Sequence, residues 1–240
     1  MGIIVDKYPC IVGCDLAGQV AAVGSDVKNY RIGDRVLSLP KFTAPNTSTG
    51  GSFQLFVACS EPLIAKIPDS VSYAEACVLP LCLSTAAVGL FDKDTLALPF
   101  PQIHPKPTGK VVLVWGGGSS VGSCAIQLLV AAGLEVAATA SAHNLEYLEG
   151  LGAKYVFDHK SASVVEDIVG ALEGKMFAGA FNTVMPPDTF VKCGRIASRL
   201  GGRKHVATVL PPKHPSWPPL DTLPKDVEFS SSWQHMVLAK

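Results

Sequence analysis

The segment VVLVWGGGSSVG at residues 111–122 restricts the fold of this chain more than any other feature. Its Val- and Leu-rich start predicts a buried strand, the three glycines predict a tight turn, and the Ala- and Leu-rich stretch that follows predicts a helix. Aligned on its last glycine, the turn reads Gly117, Ser119, Gly122 where a dinucleotide-binding turn reads G-x-G-x-x-G, so serine occupies the second position.

A strand, a glycine-rich turn and a helix suit a pyrophosphate, because small residues permit close approach and the helix amino terminus supplies free N–H groups. A purely structural tight turn is the alternative. The candidate cofactor-binding residues of this turn are Gly117, Gly118, Ser119, Ser120, Val121 and Gly122.

Strands and helices alternate from residue 110 onward. Strands are predicted at 110–115, 135–140, 155–158 and 179–184, and helices at 121–132, 144–151 and 162–172. Such alternation predicts right-handed βαβ units and therefore an α/β fold with a doubly wound parallel sheet. We also expect a strand at 196–200, a loop in the Pro-rich segment 211–224 and a strand within VEFSSSW at 227–233.

The first part of the chain has a different pattern. The short apolar runs GQVAAVG, DRVLSLP, SFQLFVA and LIAKIP are separated by Gly, Asp, Asn and Pro, which predicts a β-rich, barrel-like unit. Ser72 then precedes Glu75 and a long apolar stretch to Leu90, so we predict a helix with Ser72 as its N-cap. We place the domain boundary here, with domains at 1–71 and 72–240.

Composition excludes some classes of partner. Lys plus Arg (20) balances Asp plus Glu (20), so no basic excess favours nucleic acid. The uncharged stretch 111–134 is long enough for a membrane span, but its glycines divide it, and no membrane association is expected. MGIIVDKYPC lacks the pattern of a secretory signal, so a cytoplasmic location is expected.

Cysteine and histidine usage gives no sign of a disulfide framework or a zinc finger. The seven cysteines include no C-x-x-C pair, and most are expected to be reduced core residues, Cys82 and Cys124 among them. His104, His205 and His214 stand in Pro- or Lys-flanked segments, where we expect surface positions.

The end of the second predicted strand bears on the choice of nucleotide. An NAD site has Asp or Glu there to accept from the ribose 2′-hydroxyl, but residues 139–144 read TASAHN. Ser141, His143 and Asn144 can donate to a 2′-phosphate, which favours NADPH over NADH. The alternative is that they cap the next helix, and Asn144 could serve both purposes.

Several separate blocks resemble one family. They are GCDLAGQVAAVGSDVKNYRIGDRV at 13–36, GGSFQLF at 50–56, STAAVGLF at 84–91, the glycine-rich turn, and LGAKYVFDH at 151–159. Together they resemble the medium-chain dehydrogenase/reductase superfamily, in particular fungal zinc-independent trans-enoyl reductases and quinone-reductase-like members. The resemblance implies a partial GroES-like β-rich catalytic domain before a Rossmann NADPH-binding domain, with the active site in the cleft between them.

The resemblance also implies roles for single residues. Thr85 lies beside the nicotinamide, Ser141 and Asn144 meet the 2′-phosphate, and Tyr155 faces the adenine side together with 158–159. Asp15 is a further candidate near the nicotinamide. The alternatives are a bond within its own helix for Thr85, an ordinary strand aromatic for Tyr155 and a turn-fixing carboxylate for Asp15.

Two departures from the zinc-dependent alcohol dehydrogenases imply a metal-free site. Those enzymes have Gly-His-Glu where this chain has Gly13, Cys14 and Asp15, and residues 41–58 contain no cysteine for a structural-zinc lobe. Cysteine can itself bind zinc, so the first departure alone decides nothing.

The chemistry implied by the resemblance is hydride transfer to a conjugated carbon–carbon double bond of an enone or acyl thioester. The acyl substrate would be a small molecule or be bound to a carrier of a polyketide synthase. Family members have further strands upstream and a return segment downstream, so the resemblance implies a truncated chain. A zinc-independent quinone reductase and a noncatalytic dinucleotide-binding remnant are the alternatives, and the oligomeric state is left open.

Overall fold

The computed structural model describes residues 9–40, 50–210 and 214–232. The chain forms two compact units, of which the first ends at Cys82 and the second begins at Leu83. This division falls inside the apolar helical segment that follows Ser72.

The first unit contains a three-stranded antiparallel sheet in the order β1-β2-β3. The strands are β1 (Leu16–Gln19), β2 (Arg35–Ser38) and β3 (Ile64–Lys66). Leu16 pairs with Ser38, and Val36 pairs with Lys66. The β-rich character predicted for this part of the chain is therefore confirmed.

The strand predicted at SFQLFVA is wrong. Ser52 and Phe53 donate backbone hydrogen bonds to the carbonyls of Gly13 and Val12, but Gln54 N turns back to Ser52 O at 2.8 Å. That turn ends the pairing before a ladder forms, and the side chain of Leu55 is 95% exposed.

Two helices replace the single one predicted after Ser72. They are α1 (Tyr73–Ala76) and α2 (Pro80–Phe91). Ser72 is the N-cap of α1, as predicted. Ser72 Oγ accepts from Glu75 N at 3.2 Å, and the Glu75 carboxylate accepts from Ser72 N at 2.9 Å. The break has a local cause, since Pro80 lacks an N–H and disfavours helical geometry in the residue before it.

The stretch Tyr73–Phe91 is long and apolar enough to cross a membrane by length and composition alone, with a mean hydropathy of 1.8. Core helices satisfy the same criterion. Ala86 and Leu90 of α2 are fully buried in the core of the second unit.

The second unit is built on a six-stranded parallel sheet in the order β6-β5-β4-β7-β8-β9. Its elements are β4 (Lys110–Trp115), α3 (Ser120–Ala131), β5 (Glu135–Ala140), α4 (Leu145–Gly150), β6 (Tyr155–Asp158), α5 (Val164–Leu172), β7 (Met176–Asn182), α6 (Pro187–Arg199), β8 (His205–Thr208) and β9 (Glu228–Ser231). The predicted doubly wound α/β fold is confirmed.

The strands are apolar because helices cover both faces of the sheet. Helices α2, α3 and α4 bury one face through residues such as Leu90, Leu129 and Leu148. Helices α5 and α6 bury the other through Ile168 and Ile196. The chain runs outward from β4 to β6 and returns to β7 on the other side of β4. Ligands of such sheets bind where the winding reverses, outside the carboxyl ends of the strands.

The strand predicted at 196–200 is wrong. Residues 196–199 form the last turn of helix α6, and Leu200 is its C-cap. Phe190, Cys193, Ile196 and Ala197 repeat at helical spacing and are fully buried, and Pro187 begins the helix. The strand of this region lies further on, as β8. Of the loop predicted at 211–224, residues 211–213 lie outside the described part, and the remainder is irregular except for a short 3-10 helix, Leu220–Thr222.

The expected core role of most cysteines is also wrong. All seven are free thiols, but Cys193 alone is buried, and Cys82 and Cys124 are partly exposed. Cys124 nevertheless packs against the hydrophobic core of the second unit. Burial raises the pKa of the Cys193 thiol well above its usual range.

His205 is buried, with 1% of its surface exposed, and the surface position expected for it is wrong. It begins β8, where its Nδ1 lies 3.0 Å from an Arg203 guanidinium nitrogen and its Nε2 lies 2.7 Å from Ser230 Oγ. The same Nδ1 lies 3.3 Å from a Glu228 carboxylate oxygen, so the ring stands between a cationic and an anionic group. Burial lowers the pKa of His205, while Glu228 opposes this shift and Arg203 adds to it.

We therefore expect the free energy of unfolding to fall as the pH decreases below about 6.5. The unfolded chain takes up a proton on His205 that the folded protein resists, so this contribution is fully present above the unfolded pKa and is lost toward the folded one. Unfolding midpoints measured between pH 5 and 8 test this. The His205→Gln variant should lose part of the pH dependence, and the exposed-residue control His104→Gln should retain it. An equal slope in all three proteins would contradict the assignment.

Candidate functional site

The glycine-rich turn leaves β4 at the point where the winding of the sheet reverses. Gly116 has a φ of +87°, a conformation that side chains disfavour. Its N–H donates to Thr139 Oγ1 at 3.0 Å, and Gly117 N donates to Thr139 O at 2.8 Å. The last part of β5 thus holds one side of the turn.

Thr183, directly after β7, holds the other side. Its N–H donates to Trp115 O at 3.0 Å, and its hydroxyl lies 2.9 Å from both Trp115 O and Gly116 O. The same hydroxyl lies 2.9 Å from Ser119 Oγ. Neither Thr183 nor Thr139 was predicted from the sequence to belong to the site. Their positions in the sequence could have indicated this. Thr139 lies near the end of β5 and Thr183 follows β7, and the carboxyl ends of neighbouring parallel strands lie at the same edge of the sheet.

Helix α3 begins at this turn with Ser119 as its N-cap. Ser119 Oγ accepts from Gly122 N at 3.0 Å. Within the described part of the chain, the amides of Gly118, Ser120 and Val121 have no hydrogen-bond partner. Free amides and the positive end of the helix dipole make this turn suitable for an anion.

Close packing requires glycine at position 122. A Cβ on Gly122 would lie 2.3 Å from Gly116 O and 2.7 Å from Gly117 Cα, so only glycine lets the helix approach the turn. A Cβ on Gly118 would lie 3.5 Å from Asn144 Nδ2. Asn144 is therefore beside the turn, and its contact with a 2′-phosphate stays a prediction.

The segment after β5 forms the second part of the site. Ser141 Oγ lies 3.2 Å from His159 Nε2, and His159 N donates to Ala140 O at 3.0 Å. His143 is exposed on the short 3-10 helix Ala142–Asn144. Neither Ser141 nor Asn144 makes a side-chain cap, so the capping alternative is not realised. No carboxylate occupies residues 139–144, and the hydroxyl, imidazole and amide groups remain as donors.

Tyr155 is not brought together with this turn. Its hydroxyl donates to Glu135 Oε2 at 3.2 Å, and the Lys154 and Lys175 ammonium groups also pair with that carboxylate. The hydrogen bond from Lys154 lowers the pKa of Glu135. Tyr155 begins β6, so it lies at the amino end of that strand, about 10 Å from the carboxyl end at about 3.3 Å per residue. This contact is structural, and the adenine contact of Tyr155 stays a prediction.

The two candidate catalytic residues belong to different units. Asp15 lies in the first unit, where its Oδ1 accepts from Leu81 N at 2.6 Å and fixes the first turn of α2. Thr85 lies on α2 in the second unit and is 8% exposed. The contact of Asp15 is structural, and the catalytic roles of both residues stay predictions.

The described residues do not fit a resident zinc ion. They contain no group of three or more His, Cys, Asp or Glu side chains placed to hold a metal. Burial, with the neighbouring Asp15 charge, raises the pKa of the Cys14 thiol. These residues therefore support no metal-dependent step, and the metal-free site stays a prediction.

Each of the two units matches a known family of protein domains. Residues 1–69 match the alcohol dehydrogenase GroES-like domain, and residues 120–236 match the zinc-binding dehydrogenase family. Trans-enoyl reductase himH of Aspergillus japonicus is 44% identical over 196 residues, covering 82% of this chain and 56% of that protein. Dehydrogenase pigH of Monascus ruber is 42% identical over 230 residues, covering 95% and 62%.

A solved structure shows the same architecture. The alcohol dehydrogenase superfamily protein from Novosphingobium aromaticivorans superposes with a TM-score of 0.74 at 29% identity, covering 98% of this chain and 65% of that one. The chain thus spans about 56 to 65% of the length of these relatives. The two domain matches, the parallel sheet and its glycine-rich turn show that this chain belongs to the medium-chain dehydrogenase/reductase superfamily.

Proposed function

We propose that this protein is an NADPH-dependent oxidoreductase that reduces a carbon–carbon double bond conjugated to a carbonyl group. The observation that carries the proposal is the anion site at the carboxyl edge of the sheet. It combines free amides at the glycine-rich turn with a carboxylate-free group of donors after β5. The bound nicotinamide would supply the hydride.

The pyrophosphate would be held by backbone rather than by side chains. The amides of Gly118, Ser120 and Val121 are free to donate, and the start of α3 contributes its dipole. No cationic side chain is needed for this part of the ligand. A chain with equal numbers of acidic and basic residues can therefore bind an anionic cofactor.

The 2′-phosphate would be held by side chains. Ser141 Oγ and His159 Nε2 form one pair of polar groups, and the Asn144 amide lies beside the turn. His143 is exposed next to them. A ribose 2′-hydroxyl would prefer a carboxylate at this place, whereas a phosphate is repelled by one. The donor set therefore supports NADPH over NADH.

The substrate class follows from the similarity to himH, a protein named as a trans-enoyl reductase. An enone or acyl thioester accepts hydride at its β-carbon because its carbonyl oxygen takes up the negative charge. Thr85 and Asp15 are the residues we propose to test for catalytic roles. We further propose an acyl substrate delivered on the carrier of a polyketide synthase, in the cytoplasm, where seven free thiols would remain reduced.

Titration with NADPH and with NADH, followed by turnover assays, tests this proposal. We expect NADPH to bind about tenfold more tightly than NADH and to reduce an enoyl thioester faster than a quinone. Tight NADPH binding without any turnover would favour the noncatalytic dinucleotide-binding alternative, and faster quinone reduction would favour a quinone reductase. Failure of both nucleotides to bind would overturn the proposal as a whole.

A further inference from the structure

We propose that Thr183 is a positioning residue that holds the Ser119 side chain against β7, so that serine can occupy the second position of the G-x-G-x-x-G turn without obstructing the pyrophosphate. Glycine is usual there because the ligand approaches the backbone closely. The inference rests on the proposed function of the turn and adds to it the residue that makes the serine compatible with binding.

Two carbonyl groups set the direction of the hydrogen bonds around Thr183. Its hydroxyl lies 2.9 Å from the carbonyl oxygens of Trp115 and Gly116, and carbonyls only accept. The single Thr183 proton is therefore directed to them. The 2.9 Å contact with Ser119 Oγ must then be donated by Ser119.

The Ser119 hydroxyl is therefore both a hydrogen-bond acceptor and a hydrogen-bond donor. Its Oγ accepts from Gly122 N at 3.0 Å and donates to Thr183 Oγ1. A chain of donation runs from Gly122 N–H through Ser119 and Thr183 to the carbonyls at the end of β4. Thr183 is 6% exposed, so water does not readily replace it in this chain.

This engagement leaves the backbone of the turn to the ligand. The Ser119 side chain is directed toward Thr183, and the free amides of Gly118, Ser120 and Val121 remain for the anion. Valine at position 183 would keep the shape of threonine and remove the acceptor. The Ser119 hydroxyl would then turn to another staggered rotamer, where it competes for the space or the amides used by the pyrophosphate.

A double-mutant cycle tests this inference through NADPH dissociation constants. We expect Thr183→Val to weaken binding about tenfold and Thr183→Ser, which restores the hydroxyl, to stay within about twofold of the unmodified protein. Ser119→Gly should bind within about threefold, because residue 119 has an extended backbone (φ −76°) and glycine is an acceptable N-cap. In the Ser119→Gly background, Thr183→Val should cost at most about twofold.

An equal cost of Thr183→Val in both backgrounds would overturn the inference, since Thr183 would then act on the sheet and not through Ser119. Absence of NADPH and NADH binding in the unmodified protein would instead refute the proposed function and this inference with it. Amide hydrogen exchange gives a cofactor-free readout. Exchange at Gly122 should accelerate in Thr183→Val and in the second variant, Thr183→Ala, but not in Thr183→Ser. Unchanged exchange in both would also overturn it.

Discussion

In the Gly122→Val variant, NADPH affinity is expected to fall by at least about a hundredfold. The new Cβ would lie 2.3 Å from Gly116 O, so the first turn of α3 must move away from the glycine-rich turn. Overpacking of this kind costs about 1–3 kcal/mol, and the displaced amides no longer converge on the ligand. Fluorescence titration with NADPH measures the loss, and thermal unfolding measures how much of it reflects the fold.

Gly170→Val is the matched control for this substitution. Gly170 lies on the exposed side of α5, and a Cβ there meets no atom within 4 Å. Its affinity for NADPH should equal that of the unmodified protein. If Gly122→Val kept full affinity while folding normally, the pyrophosphate could not be bound at this turn.

The second large effect is expected for Ser141→Asp, which should reverse the nucleotide preference. A carboxylate at the end of β5 accepts from a ribose 2′-hydroxyl and repels a 2′-phosphate. Two unit charges 4 Å apart repel by about 4 kcal/mol at an effective dielectric constant of about 20. We therefore expect at least about a thirtyfold loss of NADPH affinity and a gain for NADH.

Ser163→Asp introduces the same charge at an exposed serine before α5 and controls for the change in net charge. It should alter neither dissociation constant by more than about twofold. A persistent NADPH preference in Ser141→Asp would remove Ser141 from the proposed 2′-phosphate site.

Much of the second unit could be predicted from sequence because its local signals agree with its tertiary environment. β4, β5 and β6 were predicted with the bounds that the structure shows, since each is an apolar run ended by a turn or a polar residue. Helix α6 was missed for the opposite reason. Charged residues such as Lys192 and Arg199 lie between its buried residues in the sequence, so the apolar pattern is visible only at helical spacing. Residues 196–200 taken alone resemble a strand.

The site was predictable where its residues are contiguous and was missed where the fold assembles it. The turn and the TASAHN segment can each be recognised within a few residues. Thr183 lies more than 60 residues from Ser119, and its role depends on β7 being the neighbour of β4. The hydrogen bond from Tyr155 to Glu135 is a further example, because it depends on β6 being the neighbour of β5.

The turn is fastened before any ligand arrives, and this has a thermodynamic consequence. Thr139 and Thr183 hold it from two strands, and Ser123 Oγ donates to Gly117 O at 3.1 Å from the helix. The conformational entropy of the loop is therefore lost during folding and not during association. Nucleotide binding should therefore proceed with little change in backbone order. In variants that lack these hydroxyl contacts, the turn would become ordered only on binding, and the binding entropy should be less favourable.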